Sequence, residues 1–205
     1  MRRHERAVWE PLLAESYVLD IDNTVKALYG HQEGAELGYN PRKPGRPSHN
    51  YHTYFIGSLR LVLGVEVHAG KQHAGRHGMP GLWALIEGLP AACRPRLIRG
   101  DVSYGNEQTM LEAEARGQGY LFKLRQTTRV RAHIERLERA PRAWTDAGEG
   151  WQGAEVDLKL MGWTRARRCL VLRRPAERAP ARPAPGAVVE FEFVEVLDHA
   201  PRYEY

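Results

Sequence analysis

Alternation of apolar and polar residues predicts the first strand, over residues 16–22. Successive side chains of a strand point to opposite faces, and here one face carries tyrosine, leucine and isoleucine. The other face carries two acids, Asp20 and Asp22. Acids on one face of an otherwise apolar strand are unusual in a core, so this strand end is a candidate site of chemistry.

Further segments up to residue 125 predict a mixed α/β arrangement. Residues 25–49 contain repeated Gly and Pro and are typical of a long polar loop. Two strands near 50–58 and 59–68 follow each other closely, which favours antiparallel neighbours. The spacing of leucine and isoleucine within 79–88 predicts a short helix.

Residues 95–124 predict a strand, a helix and a second strand. An apolar run ends at Asp101, and residues 119–124 are again apolar. Asn106 is a suitable N-cap for the helix between them, and Gly117 suits its C-terminal end. Strand, helix and strand in this order predict a parallel crossover unit.

The chain changes character after residue 125. A charged stretch at 128–140 predicts a helix, and the residues 174–186, rich in Pro, Ala and Arg, predict a flexible loop or a polyproline-like spacer. Three other segments alternate as half-exposed strands do, namely residues 154–161, 167–173 and 187–197. We therefore expect a mixed α/β core over residues 1–125 and a β-rich region over residues 126–205.

Composition narrows the class of protein. The chain has 205 residues, of which 42% are hydrophobic, so it can form a packed core. Lys and Arg number 30 against 25 Asp and Glu, and the net charge of +5 is compatible with nucleic acid without establishing it. No apolar run is long enough to cross a membrane, and two cysteines far apart in sequence fit a reducing compartment. We expect a cytoplasmic protein.

The predicted order of elements suggests where the acids lie in space. Three antiparallel strands, a helix, then strand, helix and strand is the order of an RNase H-like mixed sheet. The first and fourth strands of that sheet are parallel neighbours, so Asp20 or Asp22 should lie close to Asp101. Carboxylates are ligands that Mg²⁺ prefers, and two ions roughly 4 Å apart can stabilise both oxygens of a phosphodiester displacement. The alternative is that these acids end their strands in solvent and carry no chemistry.

Three segments resemble the bacterial insertion-sequence transposases of the DDE class. Residues 18–38 resemble the first catalytic block, residues 97–105 resemble the second block with its Arg-Gly-Asp, and residues 119–124 resemble the strand that follows. The resemblance extends over about residues 15–125. It implies an RNase H-like catalytic domain that cleaves and joins DNA ends with a divalent metal, Mg²⁺ or alternatively Mn²⁺. It implies no membrane and no small-molecule cofactor.

The resemblance also implies metal-binding roles for individual residues. The first acid of the family precedes a Thr or Ser by two residues, which matches Asp22 before Thr24, with Asp20 in reserve. The second acid matches Asp101. The third belongs to a helix with a Tyr, Arg, Glu and Lys signature, and this sequence contains no such helix that we recognise.

Three interpretations of the missing acid remain open. The chain is a truncated transposase fragment, inactive alone, whose residues 126–205 are the β-rich insertion that several family members carry before that helix. Alternatively, it is a non-catalytic DNA-binding remnant. The third interpretation is a self-contained RNase H-like nuclease with its third acid among Glu190, Glu192, Glu195 and Asp198. Absence of the helix would expose an apolar sheet face, which predicts a homodimer.

Basic residues in loops are candidate contacts to DNA phosphates. They are Arg42, Lys43 and Arg46 in the first loop, Lys71 and Arg76 beside His68, His73 and His77, and Arg99 in the second block. A solvated loop is the alternative for each of them, and the histidine spacing matches no standard zinc ligand set. The arginines within 165–174 are open to the same two interpretations.

Overall fold

The computed structural model describes residues 8–40, 43–72, 74–140, 143–175 and 203–204. They belong to two compact units, Met1–Arg125 and Gln126–Tyr205, and each unit is described by itself. That the second unit is an insertion within a longer catalytic domain stays a prediction.

The described part of the first unit contains six strands and, between them, two α-helices. The strands are β1 (Val18–Ala27), β2 (Glu36–Leu37), β3 (Pro47–Ile56), β4 (Leu61–Ala69), β5 (Leu97–Gly100) and β6 (Gly119–Phe122). The helices are α1 (Ala74–Glu87) and α2 (Glu107–Ala115), and short 3₁₀ turns lie at Glu10–Leu13 and Ala91–Cys93. As predicted, Asn106 caps α2, because its side chain accepts a hydrogen bond from the Thr109 amide.

The six strands form one mixed sheet in the order β2-β3-β1-β5-β6, with β4 paired to β3. β1 is antiparallel to β3 and parallel to β5, and β5 is parallel to β6 across the α2 crossover. Three antiparallel strands, a helix and a strand–helix–strand unit thus follow in the predicted order. The prediction of a mixed α/β, RNase H-like sheet is confirmed.

Two element boundaries differ from the predictions. β1 continues to Ala27 and β3 begins at Pro47, so the predicted loop of residues 25–49 is largely a long hairpin with its own short strand β2. Backbone pairing overrides the polar sequence there, because residues 23–27 of β1 pair with residues 48–52 of β3. Helix α1 begins five residues earlier than predicted, and its glycines allow it to approach the sheet closely.

Helices α1 and α2 lie on the same face of the sheet, which we call the covered face. Leu19, Ile21, Tyr54 and Ile98 point to it and are buried. The Tyr54 hydroxyl lies 2.8 Å from the Gly78 carbonyl of α1, and the Tyr120 hydroxyl donates to Glu114 of α2 at 2.7 Å. These contacts fix both helices against the strands.

The opposite face, which we call the open face, lacks such a cover among the described residues. By strand register it carries Asp20 and Asp22 of β1, Val65 and Val67 of β4, Arg99 of β5 and Leu121 of β6. Val65, Val67 and Leu121 are 52%, 54% and 45% exposed, respectively. Half-exposed valine and leucine side chains make this face partly apolar.

The second unit contains helix α3 (Thr128–Glu138) and a four-stranded antiparallel sheet. Its strands are β7 (Thr145–Gly148), β8 (Trp151–Leu158), β9 (Arg167–Pro175) and β10 (Tyr203–Glu204), in the order β10-β9-β8-β7. Two of the predicted strands are therefore present with shifted ends. The predicted strand at 187–197 lies outside the described residues, as does most of the predicted loop at 174–186.

The arginines of β9 differ in their surroundings. Arg167 and Arg173 are buried, and their guanidinium groups stack over Trp163 at 5.1 Å and Trp144 at 3.8 Å. Arg168 is exposed and pairs with Glu155. Two of these arginines are therefore part of the packing of the unit rather than of a solvated face. No helix within the described parts of the chain is long and apolar enough to cross a membrane.

Candidate functional site

The register of β1 and β5 brings Asp22 and Asp101 to the same end of the sheet. Ile21 lies beside Gly100 in the last registered pair of these parallel strands, so the next residue on each is an aspartate. Both side chains are exposed. Parallel strands end at the same edge, and this edge therefore joins two acids that lie far apart in sequence.

Local hydrogen bonds hold each carboxylate. The Thr24 hydroxyl donates to Asp22 Oδ2 at 3.2 Å, and the Ser103 amide donates to Asp101 Oδ1 at 2.9 Å. The Tyr104 amide also donates to the Asp101 carbonyl at 3.1 Å, which closes a tight turn after β5. Among the described residues, no group donates to the second oxygen of either carboxylate.

Tyr104 is close enough to both acids to feel their charge, and it is 1% exposed. Burial raises the pKa of its phenol, and the nearby negative charges of Asp101 and Asp22 raise it further. Gly100 makes room for the ring, because a Cβ at this position would lie 2.8 Å from Tyr104 and 2.9 Å from Ile21. The phenol stays protonated and uncharged, which avoids a third negative charge at the site.

Asp20 is placed differently from Asp22. It is 6% exposed, and its two oxygens accept hydrogen bonds from Arg99 Nε at 2.5 Å and Nη2 at 3.0 Å. Asp20 and Arg99 are direct register partners on β1 and β5. Within this structure the Asp20 carboxylate is therefore neutralised by a fork-shaped partner, whereas Asp22 remains open to solvent.

The donor set at the strand ends fits a hard divalent cation. Two carboxylates with exposed oxygens are ligands of the kind that Mg²⁺ prefers, and solvent can supply the remaining positions. In the described part of the chain, no group of three or more His, Cys, Asp or Glu side chains is placed to hold a metal ion. The described site thus provides two carboxylates, Asp22 and Asp101, and no third.

The predicted DNA-binding residues are dispersed rather than gathered at the acids. Lys43 donates to the Tyr29 hydroxyl, and Arg46 stacks over the Tyr29 ring at 4.9 Å. They lie beyond the far end of the β1–β3 hairpin, since Ala27 is five residues and about 17 Å along the strand from Asp22. Arg42 and His73 lie outside the described residues.

The other basic residues occupy three separate places. Lys71 pairs with Glu36 at 2.9 Å, and Arg76 is exposed on α1, on the covered side of the sheet. Of the predicted set, Arg99 alone lies on the open face within two residues of an acid of the site. The sequence did not reveal the pairing of Arg99 with Asp20, nor the burial of Tyr104 near the two acids. Their signals were the shared strand face and the three-residue spacing from Asp101 to Tyr104.

Solved structures with a similar chain course include three nucleic-acid enzymes or assemblies. The piggyBac transposase synaptic complex with hairpin DNA matches at 13% identity and a TM-score of 0.44, over 82% of this chain and 36% of that chain. The intasome of simian T-cell lymphotropic virus in complex with PP2A regulatory subunit B56 gamma matches at 12% identity and a TM-score of 0.34. The match covers 61% of this chain and 40% of that chain. Endonuclease V of Ciona intestinalis in complex with an inosine-containing DNA matches at 9% identity and a TM-score of 0.34. The match covers 83% of this chain and 78% of that chain.

This chain thus spans little more than a third of the transposase and intasome chains that it resembles. No curated protein matches it. A family model does, the one described as transposase DDE domain group 1, over residues 5–188. Since that match includes nearly the whole chain, the protein belongs to the group 1 family of transposase DDE domains.

Proposed function

We propose that this chain serves DNA transposition through metal-dependent phosphodiester cleavage and strand transfer, with Asp22 and Asp101 as the two metal ligands it contributes. DDE transposases typically use divalent metal ions, and we propose Mg²⁺, with Mn²⁺ as an alternative. The observation that carries the assignment is the parallel register of β1 and β5, because an exposed aspartate follows each residue of their last registered pair, Ile21 and Gly100. Asp20 is the weaker choice, because Arg99 occupies both of its oxygens.

Each residue of the site has a defined part in this proposal. A bound divalent ion would supply charge stabilisation for the oxygens of the displacement. Asp22 and Asp101 would hold it with the oxygens that no described protein group uses, while Thr24 and the turn at Ser103 keep the carboxylates oriented. Tyr104 remains uncharged beneath them.

We propose DNA as the partner, approaching on the open face. This face carries both acids and Arg99, and no described helix of the unit blocks it. Lys43 and Arg46 are proposed as contacts to phosphates further along the duplex, whereas Arg76 on the covered side is a weaker choice. Arg42 remains a proposed contact from the sequence, and so does Lys71 despite its pairing with Glu36.

Metal binding tests the site directly. We expect the chain to bind Mn²⁺, followed by the EPR signal of the free ion, and Asp22→Asn and Asp101→Asn each to weaken binding at least about tenfold, since each removes a charged ligand. Asp157→Asn, an exposed acid of the other unit, is the matched control. Equal binding by all four proteins would overturn the metal site.

We further expect the chain alone not to nick DNA, because two carboxylates leave the second metal position incomplete. Loss of one charge-stabilising contact commonly costs several hundred-fold in rate, or a few kcal/mol. The measurement is nicking of supercoiled plasmid with Mg²⁺ or Mn²⁺. Robust nicking that disappears in both Asp22→Ala and Asp101→Ala would instead support a self-contained nuclease. DNA binding without metal binding would favour the non-catalytic remnant.

A further inference from the structure

Asp20 and Arg99 form a preorganised pair beside the proposed metal ligands. The Asp20 carboxylate is buried, and its side chain retains 9% of its exposure, compared with 56% for Arg99. Both carboxylate oxygens are used, by Nε at 2.5 Å and by Nη2 at 3.0 Å. A cation entering at Asp20 would have to displace a guanidinium that is already bound bidentately, which disfavours Asp20 as a metal ligand.

The exposed edge of the Arg99 guanidinium has N–H donors that Asp20 does not use. A guanidinium has five N–H groups in a planar fork, and the Asp20 contacts use one on Nε and one on Nη2. Three donors therefore remain, on a side chain that is more than half exposed. The hydrogen bond to Asp20 also raises the pKa of Arg99 further, so its charge is permanent.

The position of this edge relative to the acids is set by the strands. Arg99 precedes Asp101 by two residues on β5, and Asp20 precedes Asp22 by two on β1. Two residues of a strand span about 7 Å and return to the same face. The free guanidinium edge therefore lies one such step from the carboxylates, on the face that is open to a ligand.

We propose that Asp20 is a positioning residue that fixes the guanidinium of Arg99, and that Arg99 binds a DNA backbone phosphate neighbouring the phosphodiester group at Asp22 and Asp101. The inference rests on the proposed function and assigns the two acids of β1 to different tasks. Asp22 faces the metal, and Asp20 faces Arg99. The planar fork of arginine matches two oxygens of a phosphate, which a lysine at the same place could not do.

Two measurements separate this assignment from a metal role for Asp20. For Mn²⁺ binding by EPR, we expect Asp20→Asn to stay within about twofold of the wild type, whereas Asp22→Asn loses about tenfold or more. For binding of a fluorescein-labelled DNA duplex over a series of KCl concentrations, we expect Arg99→Gln to lower affinity about tenfold. The slope of log affinity against log salt should fall by about 0.9 in that variant. A fall in Mn²⁺ affinity in Asp20→Asn equal to that in Asp22→Asn would overturn the proposal.

Coupling between the two residues is tested by combining the variants. Asp20→Asn adds one positive charge, so simple electrostatics predicts tighter DNA binding. We expect binding about threefold weaker instead, because an untethered Arg99 must be ordered when it binds. The same change in the Arg99→Gln background should have no effect, since Asp20 acts through Arg99. Tighter binding by Asp20→Asn, or equal effects in both backgrounds, would overturn the proposal.

A third variant keeps the proposal testable if Asp20→Asn fails to fold. Arg99→Lys retains the charge and an ion pair with Asp20 but loses the fork, and we expect it to bind DNA within about twofold of Arg99→Gln. Wild-type affinity for DNA in Arg99→Lys would contradict the claim that the planar guanidinium of Arg99 is needed to bind the phosphate. A failure of the metal site itself has a different signature, namely unchanged Mn²⁺ binding in Asp22→Asn and Asp101→Asn while the coupling of Asp20 and Arg99 on DNA persists.

Discussion

The two faces of the first sheet contain residues whose burial does not follow their polarity. On strand β3, the residues that point to the covered face include Ser48, Asn50 and His52, all buried at 3% exposure or less. On strand β4, the open face carries Val65 and Val67, each about half exposed. The helices thus bury polar side chains of β3 together with apolar ones, while two valines of β4 on the open face stay half exposed.

Close approach of α1 makes a polar covered face tolerable. The edge of His52 meets the ring of His68 at 4.8 Å, and His68 contacts Gln72 and Glu66 at 3.0 and 3.2 Å. Gly78 presents no side chain to the His52 ring, and its carbonyl lies within hydrogen-bonding distance of the Tyr54 hydroxyl. Asn50 Nδ2, the Tyr54 hydroxyl and His68 have hydrogen-bond partners here, whereas Ser48 Oγ and both ring nitrogens of His52 are buried with none among the described residues.

Acid should destabilise the covered face through His52. Burial, and then the neighbouring His68 and His77, lower the pKa of His52 to about 4, although Glu66 opposes the shift. Between pH ~6.5 and ~4 the unfolded chain takes up a proton at His52 that the folded chain does not. We expect the free energy of unfolding to fall over this window by up to about 3 kcal/mol.

Urea denaturation at a series of pH values measures this loss. The wild type should lose more stability between pH ~6.5 and ~4 than His52→Gln, which cannot titrate at this position. His49→Gln, on the other face of the same strand, is the control and should follow the wild type. Parallel pH profiles for the wild type and His52→Gln would show that His52 carries no such linkage.

A methyl group between α1 and the sheet should also destabilise the covered face. In Gly78→Ala the new Cβ would collide with the fully buried His52 ring, at a cost of about 1–3 kcal/mol for overpacking. In Gly81→Ala it would meet only the carboxylate end of the partly exposed Glu66 side chain, which can turn away from Tyr54 and His68 at the cost of those contacts. Alanine also favours a helix over glycine by about 1 kcal/mol, so Gly81→Ala should be nearly neutral. Equal losses of thermal stability in the two variants would contradict this contrast.

The smallest effect is expected on the open face. Val65→Thr and Val67→Thr should each change the free energy of unfolding by no more than about 0.5 kcal/mol, because both side chains are already half exposed. Together they should reduce the self-association predicted from the apolar face, measured by sedimentation velocity. Leu63→Ala, in the same strand but buried, should cost clearly more stability. Unchanged self-association in the double variant would exclude this face as the dimer contact.

Much of the fold was predictable because its signals are local. The Asn106 cap, the apolar runs of β5 and β6 and the turn residues between them specify strand, helix and strand without long-range information. The two acids that end β1 and β5 were likewise visible as acids at the end of apolar segments. Their side-by-side placement followed from the order of elements, and the strand register agrees with it.

The remaining features depend on tertiary contacts that no local pattern encodes. A β-bulge between Tyr54 and Phe55 shifts the register with β4, so strict alternation assigns Val65 and Glu66 to the wrong faces. The Asp20–Arg99 pair joins residues 79 positions apart. Similarly, helix α1 begins before its apolar residues do. The glycines of α1 pack directly against side chains of the sheet, and this tertiary contact is not visible in the local sequence.

The parallel pairing of β1 with β5 has a kinetic consequence. The hairpin contacts of β3 with β4 close short loops, whereas the contact of Asp20 with Arg99 closes a loop of 79 residues. Closing a long loop costs more conformational entropy than closing a short one, and this cost precedes the stabilising contacts. Pairings between distant segments therefore form late. The open face therefore acquires its acids and its arginine together, in one of the last steps of folding. A nascent chain emerging from the ribosome can bring both acids and Arg99 together only after β5 has been synthesised.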